Sequence, residues 1–245
     1  MPTIVRGQPT SAEIRHRLKA EDRPILVAYS LGKDAMAANL ALREEGIKTY
    51  LVFMSPCPGA NGERTLPFIE HTIQEQEEAL GQTIHVYPHP GFLRMLSELV
   101  YQPPERCAII EAAGYQPIDY PDYWAMLKRE LGCPQDTWVA DGVRAADSIV
   151  RRASLTRHGV MKPSNHKVSP IHDWLKAEVM DCIHDHGMEL PIDYEWFGRS
   201  FDGIDSRFLG PLKEHSREDY EAVLAWFPLA DIGLMCDQMR QEPRP

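Results

Sequence analysis

A serine, a glycine, a lysine and an aspartate lie together near the N-terminus, in the stretch Ser30-Leu31-Gly32-Lys33-Asp34. The apolar run 25–29 precedes them and the Ala-, Leu- and Met-rich segment 35–45 follows, a pattern that predicts a strand, a turn and a helix. Glycine lets the backbone approach an anion closely, and the start of a helix offers N–H donors with partial positive charge. The stretch therefore predicts a phosphate-binding loop, and the alternative is an ordinary strand-to-helix turn.

A basic segment follows another predicted strand, residues 137–140. Residues 143–162 carry Arg144, Arg151, Arg152, Arg157 and Lys162 against a lone Asp147, in a chain with 26 Lys and Arg, 36 Asp and Glu and a net charge of −10. Arginine binds phosphate or sulfate oxygens with two parallel hydrogen bonds. We expect Asp147 to orient one of these arginines, and the alternative is a solvated basic helix face.

Composition narrows the function classes. The acidic balance does not indicate a nucleic-acid partner and favours a small polyanion held at the basic segment. None of the apolar runs approaches the ~18 residues of a membrane span, and the N-terminus lacks the apolar core of a signal peptide, so we expect a cytoplasmic protein without a membrane partner. The five scattered cysteines lack a Cys-x-x-Cys pair, which argues against disulfides, zinc and an iron–sulfur cluster.

Apolar runs and helical segments alternate along most of the chain. The predicted strands are 25–29, 47–54, 83–87 and 137–140, with a further piece at 168–169. This order predicts an α/β fold, a doubly wound parallel sheet of about five strands. We expect residues 1–190 to form this domain and residues 191–245 to form a C-terminal extension packed on it.

Three stretches in one order resemble a known family. The segment 29–42, YSLGKDAMAANLAL, resembles the PP-loop of the adenine nucleotide α-hydrolase-like superfamily, near the ATP sulfurylase small subunit and DNA phosphorothioation relatives. The segment 141–152, DGVRAADSIVRR, and the segment 169–191 resemble stretches of phosphoadenosine phosphosulfate (PAPS) reductase and its relatives.

The resemblance implies an ATP-binding enzyme that cleaves the α–β phosphate bond, releases pyrophosphate and transfers an adenylyl group in sulfur or nucleotide metabolism. It implies catalytic roles for Lys33, Asp34 and Arg144, with Asp34 orienting Mg²⁺. Nucleotide binding would involve Ser30, Leu31, Gly32, Lys33, Asp34, Met54, Gly142 and Arg144, and anion or acceptor binding Asp147, Ser148, Arg151, Arg152 and Lys167. PAPS or adenylylsulfate is the alternative ligand, and a protein partner or a second copy of the chain is left open.

Two departures from the family pattern keep other functions open. The final serine of the PP-loop pattern is Ala35 here, which favours a module that binds a nucleotide without turning it over. The C-terminal Glu-Cys-Gly of PAPS reductases is absent, and Cys236 is expected to be a buried, inert thiol. A sulfonucleotide reductase would therefore need an external thiol.

Overall fold

The computed structural model describes residues 5–241. Its strands are β1 (Ile25–Ala28), β2 (Thr49–Ser55), β3 (Ile84–Pro88), β4 (Val139–Ala140), β5 (Met161–Lys162) and β6 (Lys167–Val168). They form one six-stranded sheet in the order β3-β2-β1-β4-β6-β5. β1 pairs in parallel with β2 and with β4, and β4 pairs in parallel with β6.

The predicted α/β class with a largely parallel sheet is confirmed, with six strands in place of about five. The additional strand arises because β5 and β6 form a short antiparallel hairpin at the edge, with Lys162 opposite Lys167. β6 overlaps the predicted piece at 168–169, whereas β5, a strand of two residues, is too short to show an alternating pattern in the sequence.

The strand order has a reversal at β1, because β2 lies on one side of it and β4 on the other. In sheets of this kind, ligands bind outside the carboxyl ends of the strands where the order reverses. The segments that follow β1 and β4 are residues 29–32 and 141–148, which contain the first two motifs. The topology therefore places both motifs at one edge of the sheet.

The helices connect the strands and form most of the C-terminal quarter. They are α1 (Ser11–Ala20), α2 (Lys33–Glu44), α3 (Pro67–Leu80), α4 (Pro90–Ser97), α5 (Pro104–Ala113), α6 (Tyr120–Glu130), α7 (Ile149–His158), α8 (Lys176–Asp185), α9 (Asp193–Phe197), α10 (Ser206–His215), α11 (Arg217–Trp226) and α12 (Asp231–Gln241). None of the helices within residues 5–241 combines the length and the apolar character that crossing a bilayer requires.

Helix α2 is buried on nearly every side, and it packs against α8. Its buried run is rich in alanine, from Ala35 to Leu42, and small side chains let neighbouring elements approach closely. A helix held in this way has a fixed N-terminus, so the loop that enters it is anchored at both ends.

The chain divides into two compact units. The first contains the described residues up to Phe53 together with Glu75–His85 and Trp124–Leu190, and Leu26, Val27 and Leu51 are fully buried in it. The second contains Met54–Gln74, Val86–Tyr123 and the described residues from Pro191 onward, and aromatic rings cluster around Phe68 and Phe208 in it. The second unit therefore combines residues from the C-terminal part with two earlier stretches of the chain, and the packing of residues 191–245 as an extension stays a prediction.

Candidate functional site

The loop between β1 and α2 makes a sharp turn. Leu31 adopts a left-handed backbone with φ of +61° and is buried, whereas Ser30 before it is exposed. Gly32 is the N-cap residue of α2 and its extended backbone carries no side chain that could cap the helix. The N-terminus of α2 therefore lacks a side-chain cap, which leaves its N–H groups suited to an external anion.

The loop after β4 touches this first loop. A Cβ atom built on Gly142 would lie 2.7 Å from the carbonyl carbon of Asp34 and 2.9 Å from the amide nitrogen of Ala35. Only glycine fits at that separation, because real side chains essentially never approach backbone so closely. The structure thus gives Gly142 a packing role beside Asp34, in addition to the nucleotide contact predicted for it.

Alternating charges connect the two loops and the start of α7. Lys33 Nζ donates to Asp34 Oδ2 at 2.6 Å, and Asp34 Oδ1 accepts from Arg144 Nε at 2.8 Å. Arg144 Nη2 donates to Asp147 Oδ1 at 2.5 Å, and Asp147 Oδ2 accepts from Arg151 Nη1 at 2.6 Å. Asp34 therefore has a cation on each carboxylate oxygen, and the metal-orienting role expected for it stays a prediction.

Arg144 lies inside this network rather than at its surface. Its side chain is 4% exposed, and its remaining nitrogen, Nη1, donates to the carbonyl oxygen of Trp174 at 3.3 Å. A buried guanidinium with three such partners holds three segments of chain together. Arg151 differs, because half of its side chain is exposed although it pairs with Asp147.

Asp141 is a polar residue of this site that the sequence analysis did not single out. Its Oδ1 accepts from the Ser169 hydroxyl at 2.7 Å and from the Val143 amide at 3.1 Å. Burial raises the pKa of the Asp141 carboxyl, while these two hydrogen bonds and nearby lysines act in the opposite direction. The Asp-Gly pair directly after a strand was the available signal, but it was interpreted only through its glycine.

The remaining predicted site residues occupy different surroundings. Ser148 caps α7, because its hydroxyl oxygen accepts from the Arg151 amide at 3.1 Å. Arg152 is exposed, and its Nε lies 3.4 Å from the Ala145 carbonyl oxygen. Lys167 lies in β6 opposite Lys162, and Met54 is partly buried near the carboxyl end of β2. Of the predicted residues, the contacts bring together Lys33, Asp34, Gly142, Arg144, Asp147 and Arg151.

Within residues 5–241, the cysteines do not join His, Asp or Glu side chains in a group of three or more that could hold a metal ion. Cys236 is exposed on α12, so its predicted burial is wrong. The reason is that the apolar residues of this terminal helix do not all face inward, and Ile232, Met235 and Met239 are exposed as well.

A scan of family models and a search of curated proteins both find no match to the chain. Solved structures do resemble it. The U34-tRNA thiolase NcsA from Methanococcus maripaludis has a TM-score of 0.43 and 16% identity, over 90% of this chain and 79% of its own. PAPS reductase from Candida auris, in a phosphate complex, has a TM-score of 0.44 and 14% identity, over 76% of this chain and 84% of its own.

NAD⁺ synthetase from Burkholderia pseudomallei is also similar, with a TM-score of 0.37 and 15% identity over 98% of this chain and 93% of its own. At these identities the likeness concerns the α/β fold and not the reaction of this chain. One of these three structures is a PAPS reductase, so the matches do not single out that family within the PP-loop superfamily that the motifs resemble.

One expectation from the cysteine spacing is corrected by these matches. The structure of the thiolase NcsA contains its [4Fe-4S] cluster. The present chain, which resembles that structure, has no Cys-x-x-Cys pair. The spacing of cysteines along the sequence was therefore an insufficient ground for excluding an iron–sulfur cluster, because ligands are brought together by the fold and not by their spacing alone.

The close approach of the two loops predicts a steric effect at residue 142. We expect Gly142→Ala to lower the free energy of unfolding by about 1–3 kcal/mol, because the new Cβ displaces the Asp34 backbone. Gly233→Ala is the matched control, since nothing lies within 4 Å of its added Cβ inside α12, and a gain of up to ~1 kcal/mol is expected there. Urea unfolding of both variants checks this, and an unchanged Gly142→Ala would contradict the contact.

The burial of Arg144 predicts a stability effect that appears without any ligand. Arg144→Lys should lower the free energy of unfolding by about 2–3 kcal/mol, because a single ammonium cannot serve Asp34, Asp147 and the Trp174 carbonyl together. Arg157→Lys, on the exposed side of α7, should stay within about 0.5 kcal/mol. Equal small effects in chemical denaturation would mean that Arg144 does not join these segments.

The raised pKa of Asp141 predicts a pH dependence with a definite sign. A carboxyl that holds its proton more tightly when folded contributes stability at low pH and loses it as the pH rises from about 3.8 through the folded pKa. Asp141→Asn keeps an oxygen acceptor for Ser169 and cannot ionise. Its free energy of unfolding relative to wild type should therefore increase from about pH 4 to about pH 7.

Denaturation series at several pH values should give a rising difference between Asp141→Asn and wild type. A flat difference would show that burial does not disfavour the charged form of Asp141.

Proposed function

We propose that this chain is an adenine nucleotide-binding enzyme of the PP-loop type that cleaves ATP at the α–β phosphate bond. One observation carries the proposal: the N-terminus of α2 has no side-chain cap, Lys33 is its first residue, and the loop containing Gly142 and Arg144 closes against it at the reversal of the strand order. This arrangement is complementary to a polyphosphate, because it combines helix N–H groups, a helix dipole and an ammonium in one place.

The ion pair of Lys33 with Asp34 does not prevent this role. An ammonium carries three donor hydrogens, so Nζ can keep its contact with Asp34 and donate to a phosphate oxygen as well. Asp34 is fixed in turn by Arg144, which is buried. Arg144 thus fixes the carboxylate of Asp34, and that carboxylate fixes the ammonium of Lys33. Such preorganisation lowers the free-energy cost of binding.

In the proposed reaction an oxyanion of the acceptor attacks the α-phosphorus. A new P–O bond forms, the bond from the α-phosphorus to the bridging oxygen breaks, and pyrophosphate leaves with that electron pair. The N-terminus of α2 and Lys33 would stabilise the charge that develops on the leaving group. Arg151 and Arg152, which are exposed, are the cations available for the acceptor or the far end of the nucleotide.

A second candidate is a module that binds the nucleotide without cleaving it. It is favoured by Ala35, which is 3% exposed in the first turn of α2 next to the uncapped N-terminus, where the PP-loop pattern has a serine. A methyl group in that place provides no hydroxyl hydrogen bond to a phosphate.

Titration calorimetry with ATP tests the site. Lys33→Ala should weaken binding about tenfold or more, because a charged hydrogen bond to the phosphates is lost. Lys176→Ala, an exposed lysine at the start of α8, removes the same charge elsewhere and should bind ATP as wild type does.

The outcomes separate the two candidates. Pyrophosphate released from ATP by the wild-type chain supports the enzyme, and binding without release supports the module. Equal affinities of Lys33→Ala and Lys176→Ala for ATP would contradict the placement of the phosphates, and absence of ATP binding to the wild-type chain would overturn both candidates.

A further inference from the structure

The loop between β1 and α2 contains a residue in an unfavourable conformation. Leu31 has φ of +61°, and side chains with a Cβ rarely adopt a left-handed backbone because the Cβ then crowds the next carbonyl oxygen. Glycine follows it at position 32, so the sequence does not place its most permissive residue where the turn needs it. The surrounding structure must therefore hold Leu31 in this conformation.

A buried glutamine from α3 makes the contact that does so. Gln76 is 4% exposed, and its Nε2 donates to the carbonyl oxygen of Leu31 at 3.0 Å. Its Oε1 accepts from the hydroxyl of Tyr29 at 2.8 Å. The carbonyl of Leu31 can only accept, which fixes the orientation of the amide, and burial raises the pKa of Tyr29, which keeps its hydroxyl a donor.

The two contacts of Gln76 reach the residues on either side of Ser30, the exposed serine of the loop. One amide thus fixes the loop at two points, and both bonds lie in the interior, where water does not compete with them. Leu31 itself is 4% exposed, so its side chain anchors the turn while its carbonyl is held by Gln76.

We propose that Gln76 is a positioning residue that keeps the loop 30–34 in its anion-binding conformation; this rests on the proposed function of that loop. Without the bond from its amide, Leu31 relaxes to an ordinary backbone conformation, and the turn into α2 changes direction. Only a minority of the molecules then has the loop conformation that binds the anion. The apparent dissociation constant rises by the reciprocal of that fraction.

A glycine substitution of Leu31 provides a test that separates positioning from general stability. Leu31→Gly and Leu31→Ala both remove the buried side chain, but only glycine adopts the left-handed conformation at no steric cost. In the Leu31→Ala background, Gln76→Leu should weaken ATP binding about tenfold, the fold-change that matches the cost of a left-handed residue. In the Leu31→Gly background, the same change should weaken it less than about twofold.

Thr72→Val is the control on α3. Thr72 is also a buried polar residue, but its hydroxyl donates to the carbonyl oxygen of Phe68 within the same helix. It should leave ATP affinity unchanged. If Gln76→Leu does not fold, Gln76→Glu is used in its place, because it keeps an acceptor for Tyr29 and removes the donor to Leu31.

Amide hydrogen exchange at residues 30–34 gives a readout that needs no ligand. Gln76→Leu in the Leu31→Ala background should accelerate this exchange about tenfold relative to the β1 amides. Gln76→Leu in the Leu31→Gly background should not accelerate it, and neither should the control Thr72→Val. Equal effects of Gln76→Leu in the two backgrounds, on affinity or on exchange, would overturn the positioning role. Failure of the wild-type chain to bind ATP would overturn the proposed function instead, and exchange would then decide the role of Gln76.

Discussion

The contact between the loops after β1 and β4 is the constraint on which the site depends. Gly142 lies so close to the backbone of Asp34 that a Cβ does not fit between them, and the buried Arg144 donates to the Asp34 carboxylate. A Cβ at residue 142 would overlap the Asp34 backbone, so the same residue that pairs with Arg144 also packs against Gly142. The first motif and the second are therefore one structural unit.

This arrangement resolves an electrostatic difficulty of the sequence. The basic segment concentrates arginines that would repel each other, yet Asp34 and Asp147 lie between successive cations in the folded chain. Asp34 and Asp147 both pair with the buried Arg144, whereas Arg151 pairs with Asp147 alone and is half exposed. A protein with net charge −10 can in this way present a small cationic surface at one edge of its sheet without an uncompensated buried charge.

The loop 30–34 also shows how strain and order are combined. A left-handed leucine is disfavoured by its own backbone, and the buried hydrogen bond that Gln76 donates to its carbonyl oxygen compensates for it. A glycine at that position would reach the same turn without this steric cost. A leucine held by Gln76 keeps the loop in one conformation, and such order suits the proposed binding of charged groups because little reorganisation is then needed.

The sequence by itself determined the α/β class, the strand–loop–helix order around residues 25–45 and the grouping of charge after β4, because these depend on local periodicity and composition. It also located most of the residues that the contacts bring together. It did not determine that Arg144 would be buried, that Asp141 would hold Ser169, or that Gln76 would reach Leu31 from α3. Those contacts join residues 28–110 positions apart, and only the tertiary structure decides which distant side chains meet, because their pairing follows from strand order and helix packing and leaves no periodic pattern along the chain.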